Sequence, residues 1–142
     1  MSYANITKGR LAVQREGELN VFPVAAGVTV YDGSLAYLTG GSLTYTPEAG
    51  SLFAGVAAET ASDKAGVYSL GVFVFDGSFS AGDEGKAAYA DLTADPGTVT
   101  VTAPGSGAIS VKVGVVVRVI DETSAEVSVG GYALRETAAA VS

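Results

Sequence analysis

The chain has 142 residues, of which 48% are hydrophobic and 16% charged, and it contains neither cysteine nor histidine. This composition excludes disulfides, thiol nucleophiles and Ser-His-Asp triads, and the net charge of −7 argues against nucleic acid as a partner. The length suits a single domain with its own core, and no apolar run approaches the roughly eighteen residues of a membrane span.

Residues 1–20 are predicted to form an extended N-terminal arm. Lys8, Arg10 and Arg15 give the first fifteen residues a charge of +3 with no acid among them, so the remaining 127 residues carry −10. A basic arm on an acidic body predicts that the arm docks on an acidic surface. The alternative interpretation is a solvated first strand.

Residues 21–132 are predicted to form the body, and their pattern indicates about ten short strands. Stretches rich in Val, Thr and aromatic residues alternate with turn residues, and no segment keeps a helical period over three turns. The segment 51–59, SLFAGVAAE, is predicted to be a buried strand, because its central Gly55 argues against a helix. The fold class is therefore all-β, a compact β-sandwich or β-barrel. In chain order the other clear candidate strands are 18–24, 43–45, 67–75, 87–91, 98–102, 111–121 and 125–129.

A ten-residue motif occurs twice within the body. Residues 27–36 read GVTVYDGSLA and residues 71–80 read GVFVFDGSFS, with six identical positions. An Asp-Gly pair between β-branched and aromatic residues is typical of a two-residue hairpin turn. We therefore predict two β-hairpins, with structural turns at Asp32-Gly33 and Asp76-Gly77. Residues 133–142 form a C-terminal tail, which is expected to be loose or a single helical turn.

Few residues in the chain suggest chemistry. The densest acidic cluster is Asp83, Glu84, Asp91 and Asp95, which raises the hypotheses of a Ca²⁺ site and of a small hydrolase that uses two carboxylates. The cluster lacks the spacing of an EF-hand, and acids in turns are usually solvated. We therefore expect no catalytic residue, no bound metal, no cofactor and no enzymatic activity.

Three tyrosines raise the hypothesis of a sugar-binding face. Tyr31, Tyr37 and Tyr45 could line such a face, because aromatic rings stack on the apolar faces of sugars, although the chain has no Trp, the residue that usually leads in such sites. The alternative is that the rings are half-buried and that their hydroxyls reach water.

Short motifs follow one another in a distinctive order from residue 25 to residue 130. An opening GVTVYD strand is followed by an apolar Gly-Val-Ala strand, a Gly-Val-Phe strand, a Gly-Asp turn, an Ala-Tyr-Ala-Asp strand, a Thr-Val strand and two closing strands. The segments are 27–32, 53–57, 71–73, 81–83, 88–91, 98–102, 112–116 and 126–129. This order resembles that of the small capsid decoration, or cement, proteins of tailed bacteriophages, and the arm and the tail lie outside the resemblance.

The resemblance implies a structural protein of the virion that is made in the host cytoplasm and sits on the outer surface of the capsid. Its partners would be the major capsid protein and further copies of itself, as a homotrimer or, alternatively, a homodimer, with neither nucleic acid nor membrane involved. The basic residues of the arm, Lys8, Arg10 and Arg15, would contact the shell. The alternative function is a carbohydrate-binding or adhesion β-sandwich module of a phage or cell surface.

Overall fold

The computed structural model describes residues 19–130 and 139–141. Within these residues the chain is all-β, with twelve strands and no helix. The strands are β1 (Leu19–Pro23), β2 (Leu35–Thr39), β3 (Ser42–Thr44), β4 (Leu52–Ala57), β5 (Lys64–Tyr68), β6 (Gly71–Asp76), β7 (Ala87–Ala90), β8 (Val99–Thr100), β9 (Ile109–Ser110), β10 (Lys112–Asp121), β11 (Ser124–Val129) and β12 (Ala139–Ala140).

The first sheet has the strand order β1-β5-β4-β2-β3, and all of its paired strands are antiparallel. It curls until its two edges approach each other. Val24, directly after β1, forms a parallel bridge with Leu43 of β3, and the amide of Ala25 donates to the Leu43 carbonyl at 2.9 Å. The interior of this curled sheet is filled by small side chains and one leucine, namely Val24, Val30, Ala36, Leu43, Ala54, Ala57, Ala65 and Val67.

The second sheet has the order β6-β11-β10-β7-β8 and is also antiparallel. Strands β10 and β11 form a hairpin closed by Glu122 and Thr123, and β6 pairs with β11 along six residues. Strand β6 follows β5 after only Ser69 and Leu70, so the chain passes directly from one sheet to the other.

The two sheets pack face to face over a shared core. Leu35, Tyr37, Phe53 and Val56 of the first sheet meet side chains of the second sheet, where Phe75 is the largest that is fully buried. The prediction of an all-β sandwich or barrel is confirmed: the sheets form a sandwich, and the first sheet is curled. The other members of this core come from the strands of the second sheet and from the segments beside them, and they are Phe75, Phe79, Ala88, Ala90, Val99, Val111, Val113, Val116, Ala125, Val127 and Val129.

Strand β4 is buried on both faces, which explains its continuous apolar sequence. Phe53 and Val56 point into the core between the sheets, whereas Ala54 and Ala57 point into the curled first sheet. A bulge in the pairing of β2 with β4 lets Phe53 and Val56, three residues apart, share one face. The predicted buried strand at 51–59 is therefore confirmed.

The limits of the predicted segments differ from the strands at both ends. Leu19 and Asn20, assigned to the arm, are the first two residues of β1. In the tail, β12 pairs antiparallel with β9, and Val141 exchanges backbone hydrogen bonds of 2.8 Å with Gly107 and Ala108. The described part of the tail is thus a short strand, not a helical turn or a loose end.

The repeated motif does not build two hairpins. Around Asp32-Gly33 a turn does form, since the Ser34 amide donates to the Tyr31 carbonyl at 3.0 Å and Gly33 has a φ of +84°. The segments on either side of this turn pair elsewhere, because Val30 bridges to Ala61 and Leu35 pairs with Val56.

The second copy of the motif differs from the first. Asp76 is the last residue of β6 and pairs with Ser124, and the Gly77 amide donates to the Thr123 carbonyl at 3.1 Å. The φ of Gly77 is outside the left-handed region that a type I′ turn needs. The hairpin prediction is wrong at both copies because the segments beside each turn pair with residues distant in sequence, or, after Gly77, form no strand.

Candidate interaction surface

The predicted shell-binding residues Lys8, Arg10 and Arg15 lie outside the described residues. Their contact with a capsid shell therefore stays a prediction from the sequence.

The four carboxylates of the predicted acidic cluster do not come together. Asp83 and Glu84 lie in the turns before β7, whereas Asp91 and Asp95 lie in the loop after it, at the other end of the strand. Within residues 19–130 and 139–141, no group of three or more acidic side chains is placed to hold a metal ion. The Ca²⁺ hypothesis therefore lacks the group of ligands that it requires of this cluster. The hydrolase hypothesis started from four neighbouring acids, and the structure separates them into two pairs at opposite ends of β7.

The carboxylates of Glu84 and Asp91 instead hold the backbone of neighbouring segments. Glu84 accepts hydrogen bonds from the amides of Gly82 and Val119 at 3.2 and 3.1 Å, and so ties its turn to β10. Asp91 accepts hydrogen bonds from the amide and the hydroxyl of Thr93. Their contacts are those of turn residues.

Asp83 is the one buried carboxylate in the described part of the chain. Its side chain is 8% exposed, one oxygen lies 2.9 Å from the ammonium of Lys86, and the other accepts a 2.8 Å hydrogen bond from the Ser80 amide. The hydrogen bond from Lys86, followed by that from Ser80, holds the pKa of Asp83 below its usual range. Asp83 thus fixes the 80–86 turn as an anion.

The three tyrosines do not form a binding row. Tyr37 is 1% exposed and packs against Phe53, with the ring centroids 5.9 Å apart, and burial raises the pKa of its hydroxyl. Tyr31 and Tyr45 are exposed on separate turns, one before β2 and one after β3. The central ring of the proposed sugar face is part of the core, which weakens the carbohydrate-binding hypothesis.

The outer face of the second sheet is unusually apolar. Val72 and Val74 of β6 are 57% and 60% exposed, and Val115 and Val117 of β10 are 37% and 45% exposed. We call the outer surface of the second sheet that carries these four side chains the valine face. An antiparallel sheet with one solvated face normally carries polar residues there, so exposed valines on two strands are a feature that function should explain.

Strand register places the valine face in two rows. The first row crosses β6, β11, β10 and β7, and each member lies directly opposite the next. In that order its members are Val72, Ser128, Val115 and Ala87. This row crosses four strands without a charged residue. In the second row, Val74 lies opposite Glu126, and Glu126 lies opposite Arg118, with Val117 in the adjoining bulge.

The charges on the valine face cancel. Arg118 donates to Glu126 across 2.8 Å, and this hydrogen bond lowers the pKa of Glu126 and keeps it ionised. Elsewhere the body is strongly acidic, because residues 19–130 contain twelve Asp and Glu and only four Lys and Arg, a net charge of −8. Of the twelve acids, Glu126 alone lies inside a strand rather than in a turn, a loop or the last position of a strand.

Two grooves lie at other places on the body. An apolar groove of about 490 Å³ runs between Pro47, Leu92, Pro104 and Ile109, near the β9–β12 pair. A more polar groove of about 800 Å³ lies between the turn before β7 and the β10–β11 turn. One acid that lines it, Asp121, accepts hydrogen bonds from Thr123 and Ser124, so its carboxylate also serves to hold a turn.

Sequence reasoning did not identify the valine face. A signal was present in β6, whose sequence GVFVFD is apolar at odd and even positions alike, although a strand with one solvated face should alternate. The pairing that places β10 on the same face, two strands away, joins segments about forty residues apart and is not visible in either sequence alone.

Comparison with known proteins identifies no relative. No protein-family model matches the chain, and no curated protein and no solved structure is significantly similar to it. The described residues include no helix with the length and apolar character that a membrane crossing requires.

Proposed function

We propose that this protein is a structural component of a bacteriophage particle, a decoration or cement protein that binds the outer surface of the head and stabilises the shell. The valine face is the observation that carries this proposal. A charge-neutral apolar surface on an acidic β body suits a protein that acts through lasting contacts with other proteins. The resemblance of residues 25–130 to phage decoration proteins supplies the class of partner, the major capsid protein.

The proposed attachment uses the arm. Residues 1–15 carry +3, so Lys8, Arg10 and Arg15 would pair with acidic residues of the shell, and an extended arm can add a strand to an exposed sheet edge of its partner. Many copies on one particle would resist outward pressure by avidity, even if each contact is weak. The role requires neither a cofactor nor a catalytic group.

The test is co-sedimentation of the purified protein with undecorated heads of the cognate phage. We compare the full chain, a chain that lacks residues 1–15, and a Lys8→Gln, Arg10→Gln, Arg15→Gln variant of unchanged length. Saturable binding by the full chain, lost in both variants and weakened by salt, supports cement function through charged contacts of the arm.

Two other results have distinct meanings. Binding that survives removal of residues 1–15 keeps the function and assigns the contact to the β body. No binding to cognate heads overturns the proposal, and a glycan array then tests the carbohydrate-binding alternative.

A further inference from the structure

The first row of the valine face is an uncharged strip that crosses four strands. Its members are Val72, Ser128, Val115 and Ala87, from β6, β11, β10 and β7 in that order. In β11 the outward positions are Ser124, Glu126 and Ser128, as a solvated sheet requires. The strands β6 and β10, on either side of β11, depart from that rule, so their exposed valines lie on one outer surface of the second sheet.

We propose that the valine face is the surface on which a second copy of this chain docks, with the same face of each copy in contact. The two outer sheets would then pack as layers, about 10 Å apart, with the valines of one copy between those of the other. This assignment rests on the proposed function, which calls for a homo-oligomer. It adds the surface through which that homo-oligomer forms.

Charge favours a second copy as the occupant. A body with a net charge of −8 repels another copy of itself wherever acidic turns would meet. On the valine face the Arg118–Glu126 pair is internally neutralised, and the first row has no charge at all. Two copies that meet along the first row bring no charge into contact there, whereas a strongly charged partner would leave its own charges unpaired against valine.

The border of the face also fits contact with itself. Asp76 and Asp121 are exposed in the next row, at the ends of β6 and β10. In the proposed dimer they would stay in water at the rim. A surface that contacts itself generates two-fold symmetry. Of the two oligomers implied by the resemblance, the proposed contact therefore requires the homodimer.

The test is sedimentation velocity of the isolated full-length protein over a range of concentrations. The variant Val72→Thr, Val74→Thr keeps the β-branched shape and adds two hydroxyls to the face. The matched control is Val21→Thr, because Val21 is 62% exposed on β1 of the other sheet and lies opposite Gly66, outside any valine row. We expect a wild-type dimer, at least a tenfold weaker dimer in the double variant, and no change in the control.

A second variant tests the charge argument. Val117→Lys adds one positive charge to each of the two facing surfaces, so dimerisation should weaken at low salt and partly recover at high salt as the repulsion is screened. Circular dichroism and thermal melting establish that each variant is folded before it is compared.

Three results would overturn the assignment: a wild-type protein that stays monomeric at about 1 mM, a Val72→Thr, Val74→Thr variant that associates as tightly as the wild type, or a trimer. Because no phage heads are present, these results are independent of the co-sedimentation experiment. Failure of self-association and failure of head binding can therefore be told apart.

Discussion

At the scale of single residues, the two Asp-Gly pairs need glycine for different reasons. Gly33 has a φ of +84° with open space around it, so only its backbone conformation is restrictive. At Gly77 a Cβ would overlap the carbonyl oxygen of Val99 and lie 2.8 Å from the ring of Phe79. Asn tolerates the left-handed region, whereas β-branched residues do not.

We therefore expect Gly33→Val to lower the free energy of unfolding by about 1 kcal/mol or more, and Gly33→Asn to lie within about 0.5 kcal/mol of the wild type. At position 77 both substitutions should destabilise, because any Cβ meets the Val99 carbonyl. Urea unfolding of the four variants measures this. A Gly77→Asn variant as stable as the wild type would contradict the close approach of the Val99 carbonyl oxygen to Gly77.

The buried carboxylate of Asp83 gives a dependence of stability on pH. Its pKa is depressed in the folded state, chiefly by the hydrogen bond from Lys86, so the stability it contributes is present above the unfolded pKa of about 4 and is lost as the pH falls through the folded value. Asp83→Asn should therefore melt below the wild type at pH 7, and the difference should shrink below about pH 4.

Thermal melts from pH 7 to pH 3 measure this dependence. The control is Asp63→Asn, because the exposed side chain of Asp63 makes no hydrogen bond to any residue that the structure describes. A gap between Asp83→Asn and the wild type that stays constant across this range would contradict the ionic role of Asp83.

At the scale of elements, β4 depends on the absence of one side chain. Gly55 has a φ of +137°, and a Cβ there would overlap the backbone carbonyl oxygen of Tyr68 in β5. Gly55→Ala should therefore destabilise the protein by about 3 kcal/mol or more, since backbone must move on both strands. Gly105→Ala is the control, because a Cβ there meets nothing within 4 Å and its φ is unrestrictive. Denaturant midpoints that are equal for the two variants would contradict this account of β4.

Local patterns in the sequence predict strands better than they predict strand partners. The alternation in 125–129 and the apolar run 51–59 are consequences of burial on one face and on two faces, so β11 and β4 could be predicted. Asp32-Gly33 specifies a turn because that preference is local. The pairing of Leu35 with Val56, and not with Val30, follows from which surfaces bury each other across the whole chain.

The candidate surface was predictable only in part. The composition, 48% hydrophobic and 16% charged, favours some exposed apolar surface, but which side chains are exposed is a property of the assembled sheets. Val113 and Val116 of β10 are buried, whereas Val115 and Val117 are exposed, and a bulge beside Gly114 sets this assignment. A period-two count along β10 would place Val113 and Val115 on the same face.

At the scale of the whole molecule, the two cores share strands and should not unfold separately. β2 and β4 contribute Leu35 and Phe53 to the core between the sheets, and Ala36 and Ala54 to the interior of the curled sheet. If either core is lost, these strands lose the packing on one of their two faces. We therefore expect one cooperative unfolding transition, as is usual for a domain of this size.

Calorimetry of Val67→Ala and Val127→Ala tests this coupling, because Val67 lies in the curled sheet and Val127 between the sheets. Each variant should lose about 2 kcal/mol through its cavity and shift the same single peak. A second peak in either variant would mean that the cores are independent.

The double burial of β2 and β4 also bears on how this sequence can diverge. A substitution in these strands changes the packing of one core, while the adjacent residues of the same strand must stay packed in the other core. Few replacements therefore fit without a compensating change. The outward positions of β6 and β10 carry no such restriction from the fold itself. Under neutral drift, β2 and β4 should change most slowly, and the four exposed valines should persist in descendants only where a surface that contacts them persists as well.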